Sequence, residues 1–262
     1  MHHPNPVIHT TAIVHPGAKL APGVGVGAYS IIGAEVELGA NTQVGPHVVI
    51  DGRTRIGADN RIFPFCSLGA APQDKKYAGE PTRLEIGDRN TIREFCTFNC
   101  GTAQDAAVTR LGDDNWIMAY VHLAHDCQVG DHTIFANNAQ LAGHVHVGDF
   151  AVLGGFTVVH QFVAIGAHSI TAMGTILLQD LPPYVTAAGN TAKPYGINSE
   201  GIKRRGFSPE AVAAIKAAYK TLYKSGLTLD GAKEALAVQA QTHAEVGLFL
   251  EFLLDSRRGI VR

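Results

Sequence analysis

Five histidines near the middle of the chain are the first candidates for chemistry. They are His122, His125, His144, His146 and His160, out of 13 histidines in 262 residues. One surface histidine is usually only solvated, but five close together are less easily explained in that way. Asp126 follows His125 directly. Because an imidazole next to a carboxylate is an effective general base near neutral pH, this pair is the leading candidate for acid–base catalysis.

Covalent and metal chemistry are less favoured by the residues. No serine or cysteine stands in a recognisable triad, so direct transfer onto an acceptor fits better than a covalent intermediate. His122-x-x-His125 together with His144 leaves a zinc site open as an alternative. These histidines are not predicted to share a helix, however, so the usual helical spacing of zinc ligands does not apply. We therefore expect no metal and no cofactor.

The histidines lie within a six-residue repeat. Aliphatic residues occupy every sixth position from Ile8 to Leu68, and the series restarts one residue out of step at Leu111 and continues to Leu177, with Thr171 as a polar exception. A period of six fits neither a helix nor a simple alternating strand. Hexapeptide repeats form a parallel β-helix, in which three hexads make one triangular coil of about 18 residues. The aliphatic residue, and a mostly small residue two positions before it, are predicted to point inward.

Residues one coil apart should lie above one another, and this places the candidate residues together. His125 is expected to lie below Gly143, and Gly143 below Gln161, while Asp126 is expected to lie against His144. An amide of Gly143 next to His125 could then stabilise a developing oxyanion.

Two interruptions and a change of pattern divide the chain. Residues 69–85 and 99–110 break the repeat with charged and turn-forming residues and are predicted to be loops. Many of the 29 glycines follow an inward aliphatic residue and are predicted to turn the corners of the coils. After Leu181 the remainder reads as helical, with an N-cap at Ser208 and further helices from about Thr228 and His243. We therefore predict a mainly β domain over residues 1–190 and an α-helical domain over residues 191–262 that caps it.

Charge and composition exclude several functions. A net charge of -2 argues against a nucleic-acid binder held by a broad basic face. Residues 150–179 contain no charged side chain, but they fall inside the repeat, so no transmembrane segment is expected. The chain starts without a signal-peptide pattern. The cysteines lack zinc or redox spacing, and three of them (Cys66, Cys96 and Cys127) fall at the small inward position. A cytosolic protein with reduced cysteines is the simplest interpretation.

Several segments resemble the UDP-N-acetylglucosamine O-acyltransferases, hexapeptide-repeat enzymes of lipid A synthesis. The matching segments are residues 73–83, 90–94, 122–127, 136–139, 141–144, 159–162 and 201–207. The likeness spans nearly the whole chain, and residues 73–83 and 201–207 are more specific than the hexads. The resemblance implies a left-handed β-helix, a homotrimer with sites between subunits, and a location in the cytosol of a Gram-negative bacterium.

The family's reaction moves an (R)-3-hydroxyacyl group from acyl carrier protein to the 3-hydroxyl of UDP-N-acetylglucosamine. By resemblance, His125 is the general base, Asp126 supports it, and Gly143 offers its amide to the oxyanion. The residues expected to line the sugar and acyl cleft are Asp74, Lys76, His122, His144, His160 and Gln161. Those expected to meet the nucleotide or the acidic carrier protein are Asn198, Glu200, Arg204 and Arg205. Taken alone, the basic segment 203–205 fits an ordinary solvated turn equally well.

Met173 carries a prediction about the acyl chain. The resemblance places it where the acyl groove ends, a position at which some family members have glycine. A methionine there fills the groove, so we predict a shorter acyl chain, of about ten carbons.

Three other functions stay open on the sequence. The N-acyltransferase of the same pathway shares the β-helix and a catalytic histidine, but it has an additional N-terminal domain, whereas the hexads here begin at Ile8. A γ-type carbonic anhydrase is the metal-dependent alternative. A β-helix that only serves as a scaffold is the third.

Overall fold

The six-residue repeat produces very short strands, each followed by a corner. The computed structural model describes residues 5–262, so the predicted first domain begins outside the described residues. Successive strands turn onto three faces, A, B and C, and every third strand pairs in parallel with its predecessor on the same face. We name the connection from face A to face B corner AB, and the next two corner BC and corner CA. The result is the predicted parallel β-helix.

The strands alternate regularly among the three faces. Face A contains Val7–Ile8, Gly25–Val26, Gln43–Val44, Arg61–Ile62, Thr91–Ile92, Trp116–Ile117, Ile134–Phe135, Val152–Leu153, Ile170–Thr171, Val185–Ala188 and Lys193–Ile197. Face B contains Ile13–Val14, Ile31–Ile32, Val49–Ile50, Ser67–Ala70, Thr97–Asn99, His122–Leu123, Gln140–Leu141, Val158–Val159 and Ile176–Leu177. Face C contains Lys19–Leu20, Glu37–Leu38, Arg53–Ile56, Arg83–Ile86, Val108–Leu111, Gln128–Val129, His146–Val147 and Ala164–Ile165.

Strand pairing fixes which residues lie above one another. On face B, His122 pairs with Gln140 and Gln140 with Val158, which is the register predicted from the repeat. The two loops do not interrupt the strand pairing. On face C, Arg83 pairs with Arg53 on the preceding coil and with Val108 on the following coil. The loops are shorter than predicted and cover residues 71–82 and 100–107, since backbone pairing with neighbouring coils extends the strands at their bases.

The core confirms the predicted inward positions. The aliphatic residues of the repeat are buried through most of the prism, and so are all four cysteines. Polar residues at inward positions bond to one another: Asn60 Oδ1 accepts from the backbone and side chain of Asn90, and Asn90 Oδ1 accepts from the backbone N–H of Asn115. Thr171, the polar exception in the aliphatic series, also has a hydrogen-bond partner: its hydroxyl accepts from the backbone N–H of Gly154 over 2.9 Å.

Apart from Gly69 (φ 81°), the glycines that follow inward aliphatic residues do not turn the corners by adopting a left-handed backbone. That conformation occurs two residues later, at non-glycine residues such as Tyr29 (φ 57°) and His47 (φ 56°). A Cβ on Gly39 would instead lie 2.4 Å from the backbone carbon of Gly57 on the next coil. Glycine is required there because adjacent coils approach too closely for a side chain.

The C-terminal part begins with a hairpin rather than a helix. Val185–Ala188 pairs antiparallel with Lys193–Ile197, so residues 191–197, assigned to the helical domain by the sequence, still extend face A. The helices follow as α1 (Ser199–Arg204), α2 (Pro209–Lys224), α3 (Leu229–Ala240) and α4 (Ala244–Asp255). Ser208 caps α2 and Thr228 caps α3 through their side chains, where the sequence predicts helix starts.

The tail of the chain returns to the end of the prism. Asp180 pairs with Ile260, and the buried Asp180 carboxylate accepts hydrogen bonds from Ala164 N (2.8 Å) and Ser256 Oγ (2.7 Å). The helical region therefore covers the C-terminal end of the β-helix. Within residues 5–262, none of the helices has both the length and the apolar character that a bilayer crossing requires.

Candidate active site

The centre of the site is a histidine–aspartate pair at corner BC. His125 Nδ1 lies 2.9 Å from Asp126 Oδ2, and the Asp126 side chain is completely buried. Thr102, in the second loop, donates its backbone N–H to Asp126 Oδ1 (2.9 Å) and its hydroxyl to Oδ2 (2.7 Å). These bonds compensate the buried carboxylate. Because Asp126 occupies Nδ1 of His125, the second ring nitrogen, Nε2, is left for a substrate.

Gly143 lies one coil beyond His125, as the register predicts. A Cβ on Gly143 would stand 2.5 Å from His125 Cε1 and 2.7 Å from Nε2, so only glycine lets the imidazole come this close to the backbone. Among residues 5–262, the amide N–H of Gly143 has no hydrogen-bond acceptor. An unpaired N–H beside a general base has the form of an oxyanion-binding donor.

His144 contacts the His125–Asp126 pair and two further residues. Its ring stacks on Phe162, with centroids 4.4 Å apart, and meets the ring of His125 edge-on at 5.0 Å. His144 Nε2 is 3.8 Å from Asp126 Oδ2. Its other nitrogen, Nδ1, is 2.7 Å from Oδ2 of Asp105 in the second loop.

His122 lies on the face B strand that leads into the same corner, and its surroundings favour its neutral form. Its Nδ1 lies 2.8 Å from Thr97 Oγ1 and 3.1 Å from the Thr97 carbonyl oxygen. Burial lowers the pKa of His122 below its usual value, and the charge of nearby His125 acts in the same direction against the opposing Thr97 carbonyl. His122 is therefore suited to polar contact with a substrate without carrying charge.

His160 and Gln161 lie one coil beyond the Gly143 corner. His160 Nδ1 is 3.1 Å from the carbonyl oxygen of Gln161, and both side chains are exposed. Corner BC thus brings together His122, His125, Asp126, Gly143, His144, His160 and Gln161. His146, the fifth clustered histidine, is separated from them because its side chain faces outward from the strand His146–Val147 on face C.

Other predicted site residues lie on other coils or at other corners. Asp74 and Lys76 are in the first loop, which leaves corner BC two coils before His125. There, Asp74 Oδ1 accepts from the backbone N–H of Lys76 over 3.0 Å. Met173 lies at corner AB with 78% of its surface exposed. Its Cγ is 4.0 Å from where a Cβ on Gly155 would be, as expected for residues one coil apart.

The segment with Asn198, Glu200, Arg204 and Arg205 lies at corner CA. Asn198 caps α1 by accepting from Gly201 N, and its Nδ2 donates to the carbonyl oxygen of His168 over 2.9 Å. Glu200 pairs with Lys203 over 3.2 Å. Arg205 donates to the carbonyl oxygen of Phe150 and places its guanidinium 4.9 Å from the Phe150 ring centre. A single chain therefore does not bring this segment to His125.

Four residues that contact the site were missed from the sequence: Thr97, Thr102, Asp105 and Thr109, whose hydroxyl accepts from the backbone N–H of Asp126 over 2.8 Å. Thr102 and Asp105 belong to an interruption of the repeat, so no periodicity relates them to His125. The only available signal was that a long loop on a rigid scaffold often contributes to function.

Within residues 5–262, His125, Asp126 and His144 form a group that could hold a metal ion. One ligand atom from each lies within 4.8 Å of the others. The zinc alternative considered from the sequence used His122 instead, but Thr97 occupies the Nδ1 atom of that residue. A metal held by His125 Nδ1 would have to displace its bond to Asp126.

The fold places the chain among the hexapeptide-repeat transferases. A family model described as bacterial transferase hexapeptide (six repeats) matches residues 109–143. A second, described as Udp N-acetylglucosamine O-acyltransferase, domain 2, matches residues 180–261.

Relatives that match nearly the whole chain show which family within the hexapeptide-repeat transferases it belongs to. The acyl-[acyl-carrier-protein]–UDP-N-acetylglucosamine O-acyltransferase of Herminiimonas arsenicoxydans is 61% identical over 260 residues, which cover 98% of this chain and 99% of that protein. The structure of the Acinetobacter baumannii enzyme has 47% identity and a TM-score of 0.96, covering 98% of this chain and all of that one. The Francisella novicida structure has 41% identity and the same TM-score, covering 98% and 94%. The chain belongs to the acyl-[acyl-carrier-protein]–UDP-N-acetylglucosamine O-acyltransferase family, and its β-helix is left-handed.

Proposed function

We propose that the chain transfers an (R)-3-hydroxyacyl group from acyl carrier protein to the 3-hydroxyl of UDP-N-acetylglucosamine, the first step of lipid A synthesis. The names of its relatives supply the two substrates. The observation that carries the mechanism is the His125–Asp126 pair beside the unpaired amide of Gly143.

The reaction needs one general base and one oxyanion donor. His125 Nε2 removes the proton from the sugar hydroxyl while the hydroxyl oxygen forms a bond to the thioester carbonyl carbon. The carbonyl electron pair moves onto its oxygen, which the Gly143 N–H stabilises. When the tetrahedral intermediate collapses, the carbon–sulfur bond breaks and the thiolate receives the proton from His125. Asp126 holds Nδ1 of His125 and stabilises the imidazolium formed between these steps.

We further propose that the working form is a homotrimer with each site between two subunits. The predicted nucleotide- and carrier-binding segment lies at corner CA and His125 at corner BC, so a neighbouring subunit could bring the two together. The outer surface of face B supports contact with another protein, since Ile13, Ile31 and Val49 are exposed on successive coils. Light scattering coupled to gel filtration measures the subunit number, and a monomer active at assay concentration would contradict the shared site.

Met173 is proposed to shorten the acyl groove. Its exposed side chain next to Gly155 leaves it free to meet a ligand held between subunits. This supports a preference for an acyl chain of about ten carbons.

The transfer assay tests the function directly. Purified protein is given UDP-N-acetylglucosamine and acyl carrier proteins loaded with 3-hydroxyacyl chains of different length. We expect product with the wild type and a loss of at least about 10²-fold in kcat with His125→Ala. No transfer by the wild type would refute the function. Transfer that survives His125→Ala would refute the general base and favour a merely structural role for the pair.

A further inference from the structure

Asp105 and His144 form a contact that the proposed mechanism does not use. The Asp105 carboxylate reaches His144 Nδ1 across 2.7 Å from the second loop. The side chain of His144 is only 13% exposed, whereas that of Asp105 is 45% exposed. A half-exposed loop residue therefore contacts one edge of a largely buried catalytic-site ring.

The other contacts of His144 fix the plane of its ring but not its orientation within that plane. Stacking on Phe162, with 10° between the rings, would be kept if the imidazole rotated by 180° about its Cβ–Cγ bond. Such a rotation exchanges a nitrogen for a carbon at each edge of the ring. Asp105 distinguishes the two orientations, because a carboxylate accepts a hydrogen bond from Nδ1–H and gains nothing from a carbon at that position.

Proton placement on His144 matters for the neighbouring pair. His125 Nδ1 and His144 Nε2 both face the same atom, Asp126 Oδ2, at 2.9 Å and 3.8 Å. The Thr102 hydroxyl also donates to Oδ2, so a proton on Nε2 of neutral His144 would point a third donor at that oxygen and would compete with His125. With the proton on Nδ1, bonded to Asp105, Nε2 is an acceptor and Asp126 remains with His125.

We propose that Asp105 is a positioning residue for the transfer reaction: it fixes the orientation and the Nδ1–H tautomer of His144. His144 Nε2 then carries no proton that could draw Asp126 Oδ2 away from His125. The proposal rests on the proposed function for its catalytic consequence, but the tautomer of His144 is a property of the free protein.

The first test is spectroscopic. Long-range proton–nitrogen NMR of protein labelled with 15N-histidine reports which ring nitrogen carries the proton, and His144→Gln assigns the signal by its loss. We expect Nδ1–H in the wild type and a change toward the Nε2–H tautomer or a mixture in Asp105→Ala. A wild-type Nε2–H signal, or an unchanged signal in Asp105→Ala, would overturn the proposal whether or not the protein is active.

The second test is kinetic and uses a double-variant comparison. Asp105→Ala should reduce kcat by about 10-fold with an unchanged melting temperature, and should cause no further loss when added to His144→Gln. Gln104→Ala is the matched control, since Gln104 is an exposed neighbour in the same loop, and it should retain wild-type activity. If the wild type transfers acyl groups and Asp105→Ala equals it, or if the losses multiply in the double variant, Asp105 does not act through His144. If the wild type transfers nothing, the proposed function fails and the NMR result alone decides the role of Asp105.

Discussion

Replacing Gly143 with alanine tests how closely the general base must approach the backbone. The new Cβ would lie 2.5 Å from His125 Cε1, whereas carbon atoms settle about 3.5–4.0 Å apart. The imidazole must therefore retreat by about 1 Å, which stretches its 2.9 Å bond to Asp126 and misplaces Nε2. A misplacement of about 1 Å in a catalytic group costs about 10²-fold in rate, or about 2.7 kcal/mol of barrier.

Stability should change little in this variant. Gly143 does not have a left-handed backbone, so the stabilisation that alanine brings through the unfolded state opposes the cost of displacing His125. We expect a kcat reduced about 10²-fold in the transfer assay and a melting temperature close to that of the wild type. Gly247→Ala is a suitable control, because Gly247 in α4 has open space around its Cβ position. Activity of Gly143→Ala within about threefold of the wild type would refute the argument from close approach.

Three further predictions concern the acyl chain, the tail and pH. Met173→Gly should shift the preference in the transfer assay toward longer acyl chains, and an unchanged chain-length profile would remove Met173 from the groove. Asp180→Ala leaves part-buried donors at Ala164 and Ser256 without their acceptor and should cost about 2 kcal/mol in urea unfolding, with Asp180→Asn losing less. Equal stability would mean that the tail is held by other contacts. Burial, and to a lesser extent the charge of Arg205, lowers the pKa of His168 to about 4. The folded state therefore resists protonation of His168, and the free energy of unfolding should fall by about 2 kcal/mol as the pH drops from about 6.5 to 4. His168→Phe should flatten this slope in urea titrations, and a slope equal to that of the wild type would assign it to other groups.

The candidate site was predictable wherever it followed the repeat. One coil separates His125 from Gly143, and the same interval separates Asp126 from His144, so counting along the sequence was enough to place them together. The structure keeps this register across the prism because backbone pairing between coils continues on either side of each loop.

For the glycines, the repeat predicted the right positions but the wrong structural reason for them. Glycine does follow many inward aliphatic residues, but the left-handed corner residues are Tyr29, His47 and others two positions later. Both observations come from the six-residue period. A glycine can be required either by a left-handed turn or because the adjacent coil leaves no room for a Cβ. The distance between coils separates the two cases, and it cannot be read from the sequence.

By itself, the sequence determined the β-helix, its inward residues, the helical tail and the histidine–aspartate corner, because a strict repeat converts position along the chain directly into position in space. Only the tertiary structure decided what surrounds that corner. Thr102 and Asp105 reach Asp126 and His144 from a loop that has no period, and the hairpin before α1 depends on pairing with the last coil. Where the repeat stops, the position of a residue depends on the whole fold, and sequence spacing no longer specifies its contacts.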